Sequence, residues 1–428
     1  MHQASILSWI DSRHDSLVEE LLALTEVNSG SSNTIGLAVM AERLQALFKP
    51  ISDHCELVDL APIEQLDDTA ELKLLKVGQA LCCSRRVNAP LRILLCGHMD
   101  TVFSAESSFQ CYQYLDDNCV NGPGTADMKG GLLVMLTALT ALEQSPFKDQ
   151  IGWDVVINSD EEIGSLASAD LLRQYAASAH VGMVFEPALA DGTLAGQRKG
   201  SGNFSLGVTG VSAHAGREFD RGRNAIAALA SAMQKLHGLN GRRDGVTINL
   251  GRIAGGGALN SVAANAICHF NVRTKTFADE DWMNAELQTI LSDINQADGF
   301  SAVLHGRFNR PPKPLTKATQ QLFDWLRESA SSLDITINHQ PTGGCCDGNN
   351  LASAGVPTID TLGVRGGNIH TDKEFIMLDS LVERAKLSYL LLEKLAANKE
   401  QVIANQKLQG EENNLTILTN DDLQGVMK

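Results

Sequence analysis

Leu94-Leu95-Cys96-Gly97-His98-Met99-Asp100-Thr101-Val102-Phe103 is the stretch on which the fold of this chain turns. The apolar run from Leu91 to Cys96 reads as a strand that ends on Gly97 and delivers His98 and Asp100 where burial stops. Side chains alternate along a strand, so residues two apart share a face. His98 and Asp100 therefore project to the same side. A metal-bound imidazole usually hands its other ring proton to a carboxylate, which suits His98 as ligand and Asp100 as its orienter.

The same layout recurs outward from that strand. Gly122-Pro123-Gly124-Thr125-Ala126-Asp127 forces a tight turn before the apolar run Leu132 to Leu142, a buried helix, and holds Asp127 at its entrance. A strand over 153–158 ends in Ser159-Asp160-Glu161-Glu162, and a strand over 180–185 ends in Glu186-Pro187. Each acid taken singly reads more readily as a helix N-cap than as a ligand. Together they match the way open α/β sheets collect ligands at the carboxyl ends of their strands.

Apolar periodicity predicts one helix over 6–24 and another over 37–48, followed by short strands over 56–96. From 199 to 311 the texture changes. Strands over 203–209, 246–254, 264–273 and 300–306 alternate with helices over 224–236 and 279–296, a compact α+β unit set into the larger one. Residues 312 to 397 resume α/β character, with a strand over 356–361 and a last amphipathic helix over 379–395. The polar remainder, 398–428, reads as a loosely packed extension. The expected division is thus a catalytic α/β domain from 1–198 and 312–400, a lid or dimerisation domain from 199–311, and a C-terminal extension from 401–428.

With 428 residues, 43% apolar content and a mean hydropathy of −0.07, the chain has the size of two globular domains. A net charge of −16 argues against nucleic acid or an anionic membrane as partner, since both need clustered Lys and Arg. No apolar run approaches the ~20 residues of a membrane span. The N-terminal stretch lacks the basic-then-apolar layout of a secretory signal. Nine cysteines without a regular framework look like reduced intracellular thiols, so a cytoplasmic location is expected.

Collected at strand ends, His98, Asp127, Glu161, Glu162, Glu186 and His370 supply enough donors for a dinuclear zinc site if one carboxylate bridges, with a sixth group left over as a base. In order along the chain, GHMDTVF (97–103), GPGTADMKGG (122–131), DEEIGS (160–165), FEP (185–187), SAHAG (212–216) and the late His370 resemble the family of co-catalytic zinc amidohydrolases that contains glutamate carboxypeptidase, succinyl-diaminopimelate desuccinylase, acetylornithine deacetylase and aminoacylase. The likeness runs from the first helix to about residue 397 and is greatest to the glutamate carboxypeptidase branch.

That resemblance implies a mixed sheet flanked by helices, with an inserted lid. It implies two Zn2+ per chain, with Co2+ or Mn2+ as substitutes: one held by His98 and Glu186, the other by Glu162 and His370, with Asp127 bridging. Glu161 would be the general base, and Asp100 would support His98. His214 would steady the tetrahedral oxyanion from the lid, completing a partner's site in a homodimer, and Asn260 would stand near the substrate. Arg310, with Arg273 as a second candidate, would grip a free carboxylate, a bidentate task for which guanidinium is suited. The expected activity is hydrolysis of an amide next to a free carboxylate in a small peptide, releasing a C-terminal residue, glutamate among the candidates. An N-acyl-amino-acid deacylase or desuccinylase is the near alternative, and an inactive metal-stabilised binding protein the distant one. Two features depart from the family pattern: Cys346 stands before Asp347 where a hydroxyl residue is common, and Lys199 is not in register with the lysine that reads a glutamate side chain.

Overall fold

The computed structural model describes residues 2–410. Its central sheet has six strands, in the order His54–Val58, Ala80–Arg85, Ile151–Asn158, Leu91–His98, Val181–Val184 and Thr358–Ile359. The last four run parallel; the first two add an antiparallel edge. Register aligns His98 with Asn158 and Cys96 with Val184, so three strands end together on one rim of the sheet. All eight residues of Leu91–His98 are buried. Their alternation splits them between two cores: Ile93 and Leu95 face Leu132, Leu139 and Leu391, while Leu94 and Cys96 face Leu172 and Leu351. Burial on both faces is what a largely apolar run in a parallel sheet requires, and the one arginine in it, Arg92, is paired with Asp154.

The segment from Gly200 to Arg310 forms a separate four-stranded antiparallel sheet, in the order Thr247–Gly255, Asn265–Thr274, Gly200–Thr209, Ser301–Arg310. Helices Ala225–His237 and Phe277–Asn295 supply the rest of its own core, around Phe204, Leu206, Phe270 and Val272. Asn224 caps the first helix, and a Thr276–Asp279 capping box starts the second.

Several elements differ from the sequence-based expectation. The helix expected over 6–24 is two, Gln3–Asp11 and His14–Thr25. At the break the hydroxyls of Ser12 and Ser16 bond the carbonyls of Trp9 and Arg13, offering the backbone a local alternative to the helix. The strand expected over 300–306 continues to Arg310, past a bulge that places Arg310 opposite Ser201. The strand expected over 356–361 pairs only at Thr358–Ile359. Helices Lys317–Ser331 and Asp347–Ser353 lie outside the elements expected from the sequence.

The first part of the C-terminal extension is packed, not loose: residues 399–410 are helical, with Val402 buried in the main core and Gln409 accepting from Thr316 Oγ1 at 2.7 Å. Residues 411–428 lie outside those described. One segment, Thr125–Leu142, is long and apolar enough to cross a membrane, and 89% of it is buried inside the fold.

Candidate active site

His98 closes its strand with its ring 1% exposed. Its Nδ1–H donates to the main-chain carbonyl of Asp100 at 2.9 Å, which leaves Nε2 as the free ligand nitrogen, 3.1 Å from Asp127 Oδ1 and 3.9 Å from Glu186 Oε1. The orienting group is therefore mainly the carbonyl of Asp100, whose carboxylate stands 3.5 Å away. That carboxylate accepts instead from the amides of Glu161 and Glu162, at 3.2 and 3.1 Å, and from Ser31 Oγ at 2.7 Å. Asp100 thus ties the first strand end to the turn after the second.

Asp127 sits in an irregular turn entered through Gly124, whose φ of +72° is easy only for glycine. Its two oxygens face two histidines: Oδ1 meets His98, and Oδ2 lies 3.2 Å from His370 Nε2. Glu162 Oε2 is also 3.2 Å from His370 Nε2. The backbone of this turn is held by Glu374, 1% exposed, which accepts from the amides of Ala126 at 2.9 Å, Asp127 at 3.0 Å and Gly124 at 3.2 Å.

Glu161 faces Arg310, whose Nη2 lies 2.6 Å from Glu161 Oε1 and also donates to Ser165 Oγ at 2.9 Å. Behind the turn, buried Asp347 accepts from Asn158 Nδ2 at 2.8 Å and Ser165 Oγ at 2.6 Å. Cys346, in the place of a hydroxyl, accepts from Gly348 N at 3.3 Å and so caps the short helix that carries Asp347.

Burial sets the electrostatics. It pushes Glu161 up to about 8 against the pull of Arg310 and His98. Glu162 is raised by burial and Asp127, and Glu186 well raised by the same two causes. Burial works to lower His98 and to raise Asp127, but their partners prevail: bonds to Asp100 and then Asp127 hold His98 well above its ordinary value, and bonds to His370 and then His98 hold Asp127 well below its own. Bonds to Asp127 and Glu162 hold His370 up at about 11. Four buried carboxylates thus meet the buried imidazole of His98 and the half-exposed one of His370, a donor set that divalent cations neutralise.

Donor atoms of His98, Asp127 and Glu162 lie within 4.8 Å of one another, as do those of His98, Glu161 and Glu186. The second group includes Glu161, the expected base, but the ion pair with Arg310 already engages one of its oxygens. The donor set suits the binding of divalent metal.

These groups open onto a cavity of about 370 Å³ also lined by Arg198, Arg273, Cys345, Thr342 and Leu194. Arg198 is spent on Asp360, with bonds of 2.9 and 3.0 Å. Arg273 bonds only Asn271 Oδ1 and Cys345 Sγ, at 2.8 and 3.0 Å, and is the lining arginine with no carboxylate partner among the described residues. Lys199 does not enter the cavity; its Nζ donates to the carbonyl of Gly245 at 2.7 Å.

His214 and Asn260 line no part of this cavity in their own chain. They lie together on exposed loops, joined by the bond from Ala215 N to the Asn260 carbonyl at 2.9 Å. Nearby in sequence, Val211, Phe219, Ile226, Ile253 and Leu259 are all exposed, beside the edge strand Thr247–Gly255.

Glu374, Asp347 and Arg198 had not been singled out as functional. The only signals in the sequence were the position of Glu374 four residues after His370 and that of Asp347 in a glycine-rich turn.

The model of peptidase family M20/M25/M40 matches residues 94–394. Carboxypeptidase G2 of Pseudomonas sp. strain RS-16 is 26% identical over 394 residues, covering 90% of each chain. A succinyl-diaminopimelate desuccinylase of Pseudoalteromonas translucida is 27% identical over 318 residues, covering 70% of this chain and 82% of its own. Among solved structures, the M20 metallo-carboxypeptidase Sso-CP2 of Sulfolobus solfataricus superposes with a TM-score of 0.67 at 16% identity, over 89% of this chain and 99% of its own.

Proposed function

From the premise that this chain belongs to peptidase family M20/M25/M40, and so is a metallo-hydrolase of amide or peptide bonds, we propose that it is a dinuclear zinc carboxypeptidase. It would cleave the amide next to a free carboxylate and release a C-terminal amino acid. The observation that carries this reading is Asp127, whose two oxygens stand 3.1 and 3.2 Å from His98 and His370, with Glu161 held by Arg310 alongside.

His98 and Glu186 would hold one ion, Glu162 and His370 the other, with Asp127 shared. Bound there, the ions supply Lewis-acid activation of the amide carbonyl and of the attacking water. Glu161 takes the proton from that water and passes it to the departing amine nitrogen. Arg310 fixes one oxygen of Glu161 and leaves the other for this proton. Arg273, with no acid of its own, reads the free carboxylate of the released residue. This division of labour differs from the sequence-based expectation, which gave the carboxylate first to Arg310.

His214 and Asn260 would act in a homodimer, reaching a partner's cavity from the lid. Their exposure beside an unpaired edge strand and a run of exposed apolar residues supports that arrangement.

The test is a panel of dipeptides, N-acyl amino acids and their C-terminal amides, assayed after zinc reconstitution. Hydrolysis confined to substrates with a free carboxylate, lost with chelator and restored by zinc, is the expected result. Equal rates on amides, or no hydrolysis at all, would overturn it.

A further inference from the structure

One face of the antiparallel sheet carries polar side chains in register. Arg273, Ser201 and Arg310 form a row across three strands, and both arginines line the cavity beside the candidate metal donors. The next row is Asn249, Asn271, Asn203 and Arg307, and the third holds His269, Ser205 and His305. The opposite face, with Phe204, Leu206, Phe270 and Val272, is the apolar core. An antiparallel sheet commonly leaves such a polar face to open solvent. This one instead borders a cavity of about 750 Å³, twice the volume of the one beside the metal donors.

The other wall of that larger cavity is Pro62–Gln65 together with Ile163 and Leu166. Ile163 follows Glu162 directly, so the trough begins at the catalytic turn. Its polar groups are pre-oriented. Asn271 Nδ2 donates to Ser201 Oγ at 3.0 Å and to Asn203 Oδ1 at 2.7 Å, and Ser205 Oγ lies 2.8 Å from His269 Nδ1. Arg307 is exposed and pairs with no acid among the described residues.

We infer that this trough binds the acyl side of the substrate as an extended peptide several residues long, which makes the protein an oligopeptide carboxypeptidase and not a deacylase of short N-acyl amino acids. The inference rests on the proposed reading of the metal site and names its substrate class. The smaller cavity, with Arg273 free, takes the released residue; the acyl chain leaves past Arg310 and the turn 161–166. His305 Nε2 already meets the Glu64 carbonyl at 2.8 Å and His269 meets Ser205 and Arg252, so the groups left to bond the N–H and C=O groups of an extended backbone are Asn249, the Asn203 amide nitrogen and Arg307. An acetyl or succinyl group would leave the trough unused. Rows two residues apart lie ~7 Å from one another, so the first and third are ~14 Å apart, the span of about four extended residues.

The test compares peptides of two to seven residues that share one C-terminal residue, with acetyl- and succinyl-amino acids as short probes. Each net hydrogen bond is worth roughly fivefold, so two or more should raise kcat/KM by at least ~20-fold from the dipeptide upward, levelling near six residues. The long-to-short ratio should collapse in the double variant Asn203→Ala, Arg307→Ala, whose residues are both exposed. A second arm measures binding of the same peptides to the zinc-loaded Glu161→Gln variant by calorimetry, where tightening with length is expected. Short N-acyl amino acids turned over as well as hexapeptides, or a length gain untouched by the double variant, would overturn the inference. If wild type hydrolyses nothing but binding still tightens with length, the proposed reaction fails and the trough stands; if neither depends on length, the trough fails whatever the reaction.

Discussion

Removing the side chain of Glu374 attacks the metal site from behind. Its carboxylate accepts from the amides of Ala126 and Asp127 in that turn and from Gly124 as well. Hydrogen bonds to a charged group contribute about 1.5–3 kcal/mol each, and the buried amides would be left unpaired. Burial works against the ionised carboxylate and raises its pKa to about 7, which offsets part of the gain. A net loss of about 3–6 kcal/mol for Glu374→Ala follows, comparable with the whole stability of a domain. Glu374→Gln is the sharper probe. Its remaining oxygen keeps the bonds to Ala126 and Asp127, while its amide nitrogen meets the Gly124 N–H, donor against donor, at a cost of about 1–3 kcal/mol. The same change loosens Asp127, so zinc affinity should fall ~10–100-fold. Urea unfolding of the metal-free protein reads the first effect and zinc calorimetry the second. A Gln variant with unchanged stability and unchanged zinc affinity would refute the reasoning.

Glu161→Gln should cut turnover by ~10²–10⁴-fold while two metals remain bound, because a base acts on the proton and not on coordination; loss of a metal would instead make Glu161 a ligand. In the metal-free protein the raised carboxylates of Glu161, Glu162 and Glu186 and the raised imidazoles of His98 and His370 mean that the folded chain holds more protons than the unfolded one. Stability therefore falls as the pH rises from about 5 to about 11, where His370 gives up its proton, while the depressed Asp127 acts in the other sense only below about pH 4. Zinc displaces those protons, so its binding should release protons and tighten with rising pH; calorimetry in buffers of different ionisation enthalpy would show no release if the groups were already bare. A His214→Ala chain refolded with a Glu161→Ala chain should regain activity through heterodimers, and no recovery in heterodimers isolated by two tags would return His214 to its own chain or to no role.

The donors were legible because each stands in a local pattern with a physical purpose. His98, Glu161, Glu162 and Glu186 follow apolar runs that can only be buried strands, and parallel register then brings their ends together. Glu374 was not legible. Its partners are backbone amides some 250 positions away, and nothing in Lys373-Glu374-Phe375 announces burial. The pairing of Arg310 with Glu161 is not legible in the sequence, because it depends on a bulge that only the register reveals. The helix at 399–410 was hidden by its composition: only Val402 and Gln409 are turned inward, too few to raise a polar stretch above its surroundings.

The central claim is a pair of metals sharing Asp127. Crystals grown with zinc and measured at its absorption edge should give two anomalous peaks per chain, ~3.5–4 Å apart, one beside His98 and Glu186 and one beside Glu162 and His370, with Asp127 touching both. A single peak, or two that Asp127 does not join, would contradict it.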